Sequence, residues 1–175
     1  MPQEVVRRLS RAVCAGASAL LLLTVARAVS AQGTDGAALY AATCKACHQA
    51  SGLGLPGQFP PLAGSEWVTG SEERLVRIIL HGILGEIEVE GETFNGAMPT
   101  WGPTFKDEDV AAVATYVRTT WGNKASPITT ATVTRVRLKY SARTTPWTAA
   151  ELQRSSPLSL SEALPPRHQR TTSHR

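Results

Sequence analysis

Between residues 35 and 122 the apolar positions switch between a helical and a strand-like period. The run DGAALYAATC (35–44) is alanine-rich and carries Thr34 and Asp35 at its start as candidate caps, which predicts a short helix. Gly36 and Tyr40, four apart, share one of its faces. The following GLGLPGQFPPLAG holds Gly52, Gly54, Pro56, Gly57, Pro60 and Pro61, a density that excludes regular structure and predicts a loop, ordered where it wraps something rigid. A second helix starts at Ser71, a capping residue, with Glu72 and Glu73 at its positive end. Leu75, Ile78, Ile79 and Leu80 form its buried stripe, and Gly82 is placed to end it in a left-handed cap. IEVEGETFNG alternates in part around Glu90-Gly91, as a small hairpin does. KDEDVAAVATYVRTTWG gives the clearest helix. Asp107, Glu108 and Asp109 crowd its first turn, Val110, Val113, Val117 and Trp121 recur at steps of three and four, and Gly122 stops it. Lys106 stands where a Ser or Asp would cap better.

The two ends read differently. Arg7, Arg8 and Arg11, the apolar run Ala15–Ala26 and the small residues Val29-Ser30-Ala31 have the layout of a secretory signal peptide cleaved after Ala31. The apolar run falls well short of the ~20 residues a membrane span needs. Cys14 precedes that run and leaves with it. Beyond Ser126 the chain is rich in Thr, Ser, Arg and Pro, with short helical turns expected near Thr132–Leu138 and Thr148–Gln153 and no structure expected from Ser155 onward. The implied organisation is a signal peptide over 1–31, a domain over 32–126, an extension with short helical turns over 127–154 and a disordered basic tail over 155–175.

Charge follows these boundaries. The 175 residues carry a net charge of +4, but residues 32–126 hold six basic against eleven acidic residues, a body charge of −5. Residues 127–175 hold eight basic residues against Glu151 and Glu162. The basic character belongs to the ends, so nucleic-acid binding by the body is excluded, because a phosphate backbone wants a basic face. The body is also poor in large apolar side chains, a deficit that a bulky apolar cofactor would make good.

The chemistry sits in CKACH, Cys44 to His48. Structural zinc needs four ligands, normally including a second Cys/His pair, and the body offers only His81 besides. A redox dithiol opens a helix within a strand–helix–strand domain, and no such run of strands surrounds Cys44. Covalent haem accounts for every element: two thiols add across the porphyrin vinyl groups, and the histidine next in line ligates the iron. A second axial ligand is then needed. The one methionine after residue 31 is Met98, in the Gly- and Pro-flanked segment FNGAMPTWG, which reads as a loop presenting a thioether at a fixed point. His81 is the alternative ligand.

Residues from about Thr34 to Gly122 resemble a class I c-type cytochrome: CKACH, a Pro-Pro-Leu loop, a helix, a Met-Pro loop and a final helix with an aromatic, in that order. LHGILGEIEVEGETFNGAMPTWG and VAAVATYVRTTWGN further resemble cytochrome domains linked to periplasmic dehydrogenases of alcohols and sugars. The resemblance implies an all-α cytochrome c fold, helices and loops around one covalently bound haem c, with room for the small β-hairpin. It implies that Gly36 and Tyr40 cross the last helix near Val113 and Tyr116, and that the Pro61 carbonyl accepts a hydrogen bond from His48. It further implies that Leu62 packs on that proximal side and that Trp67, Asn95 and Trp101 line the pocket or reach propionates or the Met98 sulfur. The implied function is that of a periplasmic carrier of single electrons, free or as a dehydrogenase subunit, and not an enzyme. Its partners would be redox proteins, a dehydrogenase as donor and a terminal oxidase or other protein as acceptor. The membrane is reached only through a partner or an uncleaved signal. The acidic body implies a partner with a basic patch and salt-sensitive association. The alternative reading is a haem-based catalyst or a sensor whose Met98 is displaced by a small ligand.

Overall fold

The computed structural model describes residues 33–154; the signal peptide and basic tail expected at the two ends lie outside the described residues. Asp35 accepts from the N–H groups of Ala37 and Ala38 and opens α1, Gly36–Leu39. The chain then widens into a π-helical stretch, Tyr40–Cys44, and tightens again into α2, Lys45–His48. The helix expected over 35–44 therefore runs on through CKACH to His48. α3, Glu66–Thr69, is a single turn capped by Ser65 that sequence periodicity did not reveal. α4 spans Glu72–His81, with the Ser71 hydroxyl accepting from the Arg74 N–H. It ends at Gly82, whose φ of 75° and ψ of 174° lead straight into a strand rather than into the left-handed cap expected.

β1, Ile83–Val89, and β2, Glu92–Met98, form the hairpin, antiparallel in a register that pairs Ile83 with Met98, Gly85 with Gly96 and Ile87 with Phe94. Side chains alternate between the two faces of a strand. Ile83, Ile87, Val89 and Phe94 thus share the inner face, while Glu86, Glu88 and Asn95 point outward. α5, Asp107–Thr119, begins without a side-chain cap from Lys106, whose own N–H is accepted by Asp109. It stops two residues before Trp121, which adopts a positive φ of 53° outside the helical stripe assigned to it.

α1 crosses α5 so closely that a Cβ on Gly36 would lie 2.3 Å from the Ala112 carbonyl oxygen. That contact sets Tyr40 against Tyr116 and Trp121, ring centroids 5.4 and 5.0 Å away. The expected crossing is thus present.

Residues 127–154 are more than turns. α6, Thr130–Lys139, is a ten-residue helix capped by Thr129, and α7 spans Ala149–Arg154. Val133 and Val136 pack into one core cluster with Val76, Val110 and Ala114, and Trp147 and Leu152 into another with Trp67, Ile78 and Phe94. Threonines between the valines hide this stripe from a periodicity search. The extension is also pinned by charge. Glu73 of α4 accepts from Lys139 Nζ at 2.9 Å and from the Tyr140 hydroxyl at 2.7 Å, and Arg137 pairs with Asp107 at 2.6 Å. Burial alone would raise the Glu73 carboxyl, but those hydrogen bonds, together with Lys139 and Arg77 charges, hold it below its ordinary value.

Two outcomes follow from this packing. Gly36→Ala forces the helix crossing apart and should lower stability by about 1–3 kcal/mol in thermal melts. Because the Glu73 pKa is depressed on folding, its contribution is present above the unfolded carboxylate pKa and fades as pH falls through the lower folded value. Glu73→Gln should therefore destabilise by about 1 kcal/mol near neutrality, and melts of the two proteins should converge toward acid pH.

Candidate functional site

His48 closes α2 and is 8% exposed. Its Nδ1 lies 3.0 Å from the Pro60 carbonyl oxygen. A carbonyl only accepts, so Nδ1 carries the proton and Nε2 keeps its lone pair. Burial lowers the His48 pKa, partly offset by the Pro60 bond, so the ring is neutral and fit to coordinate a metal. The residue that orients His48 is Pro60 rather than Pro61. The two prolines are adjacent, and only the path of the loop decides whose carbonyl faces the ring. That path is held by backbone bonds from Gly54 N–H to the His48 carbonyl and from Leu62 N–H to the Gly52 carbonyl. Asn123, just beyond α5, staples the loop. Its Nδ2 donates to the carbonyls of Leu62 and Val117, and its Oδ1 accepts from Gly64 N–H. Trp121 Nε1 donates to the Ala50 carbonyl. In the sequence only its place right after the helix stop marks Asn123.

Beside His48 opens a broad apolar cavity. Cys44 and Cys47, both unbonded thiols, line it together with His48, Pro61, Leu62, Trp67, Met98 and Trp101. Burial raises the Cys44 thiol, against the Thr43 hydroxyl 3.3 Å away. Trp67 is fixed by an Nε1–H bond of 2.7 Å to the Glu88 carbonyl, and Trp101 stacks on Phe105 at 5.3 Å. The inner face of the hairpin supplies another wall through Ile83, Ile87, Val89 and Phe94, and α4 and α5 contribute Leu75, Ile78, Ile79, Val113 and Val117.

Three sequence expectations change here. Asn95 does not line the cavity: it is exposed and paired with Glu86, on the outer face that strand alternation dictates. Met98 is the last residue of β2 rather than a loop residue, so its backbone is held by strand pairing with Ile83. His81 lies apart from the cavity lining, with its ring edge-on to Trp147 at 6.1 Å. Among the described residues no three of His, Cys, Asp and Glu gather as metal ligands.

The donor set and the shape fit a porphyrin iron. A neutral imidazole, two thiols one helical turn apart and a thioether border one apolar cavity. The wall beside Met98 is flat because Gly85 and Gly96 face each other across the hairpin, and a Cβ built on either meets nothing within 4 Å. The lining carries no Asp, Glu, Lys or Arg. This Gly pair went unnoticed in the sequence, although the register from the Glu90-Gly91 turn would have revealed it.

Comparison with known proteins agrees with the site. Residues 31–117 match the family model described as cytochrome C oxidase, cbb3-type, subunit III. The chain is 41% identical over 114 residues to cytochrome c-552 of Thermus thermophilus, covering 60% of this chain and 86% of that protein. It is 37% identical over 105 residues to the alcohol dehydrogenase (quinone) cytochrome c subunit of Gluconacetobacter polyoxogenes. It is 35% identical over 112 residues to the fructose dehydrogenase cytochrome subunit of Gluconobacter japonicus. Those two matches cover 58% and 59% of this chain but only 22% of each relative.

Filling the flat wall tests the cavity. A Cβ at Gly96 meets no protein atom within 4 Å, so Gly96→Val should leave the fold intact, as read by circular dichroism, while its methyl groups reach into the cofactor space. The yield of haem-loaded protein, read as the ratio of haem to protein absorbance, should fall at least severalfold.

Proposed function

The chain belongs to the cytochrome c family, and from that premise we propose that it carries single electrons in the periplasm through a haem c bound to Cys44 and Cys47. The family's function is electron transfer, and this chain is a carrier or a subunit of an oxidoreductase rather than an enzyme in itself. The observation that carries the assignment is the meeting of three parts at one apolar cavity: the CKACH helix end, the Pro60-anchored His48 ring and the strand-held Met98.

The bound iron supplies a one-electron Fe(III)/Fe(II) couple. His48 Nε2 would hold the iron, and the Nδ1–H bond to Pro60 fixes the ring's angle and basicity. Met98 would offer its thioether sulfur as a further ligand. A soft neutral thioether favours the ferrous form, and the paired strand keeps the sulfur in place in both oxidation states, which limits reorganisation. With an imidazole and a thioether both supplied by the protein, small molecules would be kept from the metal, and electron transfer is the chemistry left. The apolar walls from α4, α5 and the hairpin exclude water.

Export through residues 1–31 delivers the chain to the periplasm, where a dehydrogenase is the donor and a terminal oxidase or similar protein the acceptor. Encounter and contact are served by different surfaces. Glu86 and Glu88 on the outer hairpin face attract a basic partner over distance, while the cavity rim has no charged side chain and meets the partner through apolar contact, with Leu55 exposed beside it through its bridge to Phe59. Such redox interfaces are small and short-lived.

Absorption spectra decide the assignment. The purified protein should keep its colour after acid–acetone extraction, and the double variant Cys44→Ser, Cys47→Ser should lose it. Met98→Ala should abolish the weak long-wavelength band of sulfur–iron bonding in the oxidised protein and lower the potential by on the order of 0.1 V, within the ~0.8 V span that axial ligands command. An unchanged band would move the sixth ligand elsewhere. Carbon monoxide binding by the ferrous wild type at neutral pH would favour a sensor or catalyst.

A further inference from the structure

α4 has a second functional-looking face. Leu75, Ile78 and Ile79 turn toward the cavity, and helical spacing puts Glu73, Arg77 and His81 on the opposite side, under the extension. Arg77 is 1% exposed, yet its Nε and Nη1 have no hydrogen-bond partner among the described residues. The same holds for Trp147 Nε1, in a residue 6% exposed, and for His81 Nε2. These orphaned groups surround one ring. The Arg77 guanidinium carbon is 5.0 Å from the Trp147 centroid and 5.2 Å from that of Tyr140, and His81 is edge-on to Trp147.

The local charge is unbalanced. Glu73 is taken by Lys139 at 2.9 Å and Arg135 at 3.6 Å, and Glu151 by Arg143 at 2.9 Å. Arg143 also stacks on the Trp147 ring at 3.5 Å. Arg77 feels the charge of Glu73, one helical turn back, but that carboxylate is paired with Lys139 and Arg135, and no hydrogen bond reaches Arg77 Nε or Nη1 among the described residues. Aromatic faces attract a guanidinium but satisfy none of its N–H groups in the plane, and a buried charge with idle donors is costly.

We propose that Arg77, Trp147 and His81 form a binding site for a small monovalent inorganic anion of the halide class, closed over by the 140–152 segment. Arg77 supplies the charge and two N–H donors, and the Trp147 indole a third. Burial and the charges of Arg143 and Arg137 hold the His81 imidazole below its ordinary pKa, and a bound anion would offset them, so that His81 Nε2 joins as a donor when the anion and a proton enter together. The anion ties the extension to α4, on the side of that helix away from the cavity. Its role is to lock the extension, independent of the electron-transfer reading.

Thermal melts of the full haem-loaded protein in sodium fluoride, chloride and bromide at equal ionic strength test this. Chloride and bromide should raise the melting temperature over fluoride, with saturation. Trp147→Phe, which keeps the ring but loses the N–H, should raise the apparent halide dissociation constant roughly tenfold. Arg77→Met should abolish halide dependence, and where it fails to fold, the Trp147→Phe titration stands alone. Crystals grown in bromide should show an anomalous peak within hydrogen-bond reach of Arg77 and Trp147. Melts that do not distinguish the three salts, or a peak that refines as water alone, would overturn the proposal.

Discussion

The hydrogen bond from His48 Nδ1–H to the Pro60 carbonyl is the constraint around which the molecule is arranged. Without it the imidazole could present either nitrogen and turn freely about its side-chain bonds. With it, one nitrogen is spent, the other faces the cavity, and the loop between residues 49 and 64 has to follow one path. That path explains why the loop is anchored so heavily for a segment without regular structure. Asn123 holds it from the end of α5, Trp121 from beyond the helix stop, and backbone bonds to Gly52 and His48 hold it from within. The positive φ of Trp121 belongs to the same arrangement, since it swings the indole off the helix and onto Gly52 and Ala50.

How much of this was legible in the sequence depends on the range of the interaction. CKACH names its own chemistry because the thiols and the imidazole are neighbours on one turn of helix. The crossing of Gly36 and Tyr40 over α5 near Val113 and Tyr116 and the Glu90-Gly91 turn were equally readable, the first from the family resemblance and the second from alternation. Pro60 and Pro61 could not be told apart, because which of two consecutive carbonyls points inward is settled by contacts with Asn123, more than sixty residues on. Asn95 was assigned to the cavity by resemblance alone, although the register counted from the Glu90-Gly91 turn pairs it with Glu86 on the outer face. The extension was underestimated for a different reason. Val133, Val136, Trp147 and Leu152 bury well, but they are spaced among Thr, Arg and Pro, so no window of sequence is apolar enough to announce a core.

α4 shows how one helix serves two ends. Its Leu75–Ile78–Ile79 side walls the cavity, while its Glu73–Arg77–His81 side is the floor on which residues 130–152 are laid. Acidic helix starts and the basic extension match each other, Glu73 with Lys139 and Arg135, Asp107 with Arg137. The opposite charges of the two segments are therefore an internal complementarity as much as an external one.

Strand β1 is the middle member of a short three-chain edge. Ile83 pairs with Met98 on one side and bridges Trp147 on the other, with Leu84 N–H donating to the Trp147 carbonyl and Trp147 N–H to that of Gly82. The thioether thus hangs from a strand whose partner, β1, is itself held in place on its far side by residue 147. A sulfur held this way would stay close to any metal it bound, at high effective concentration.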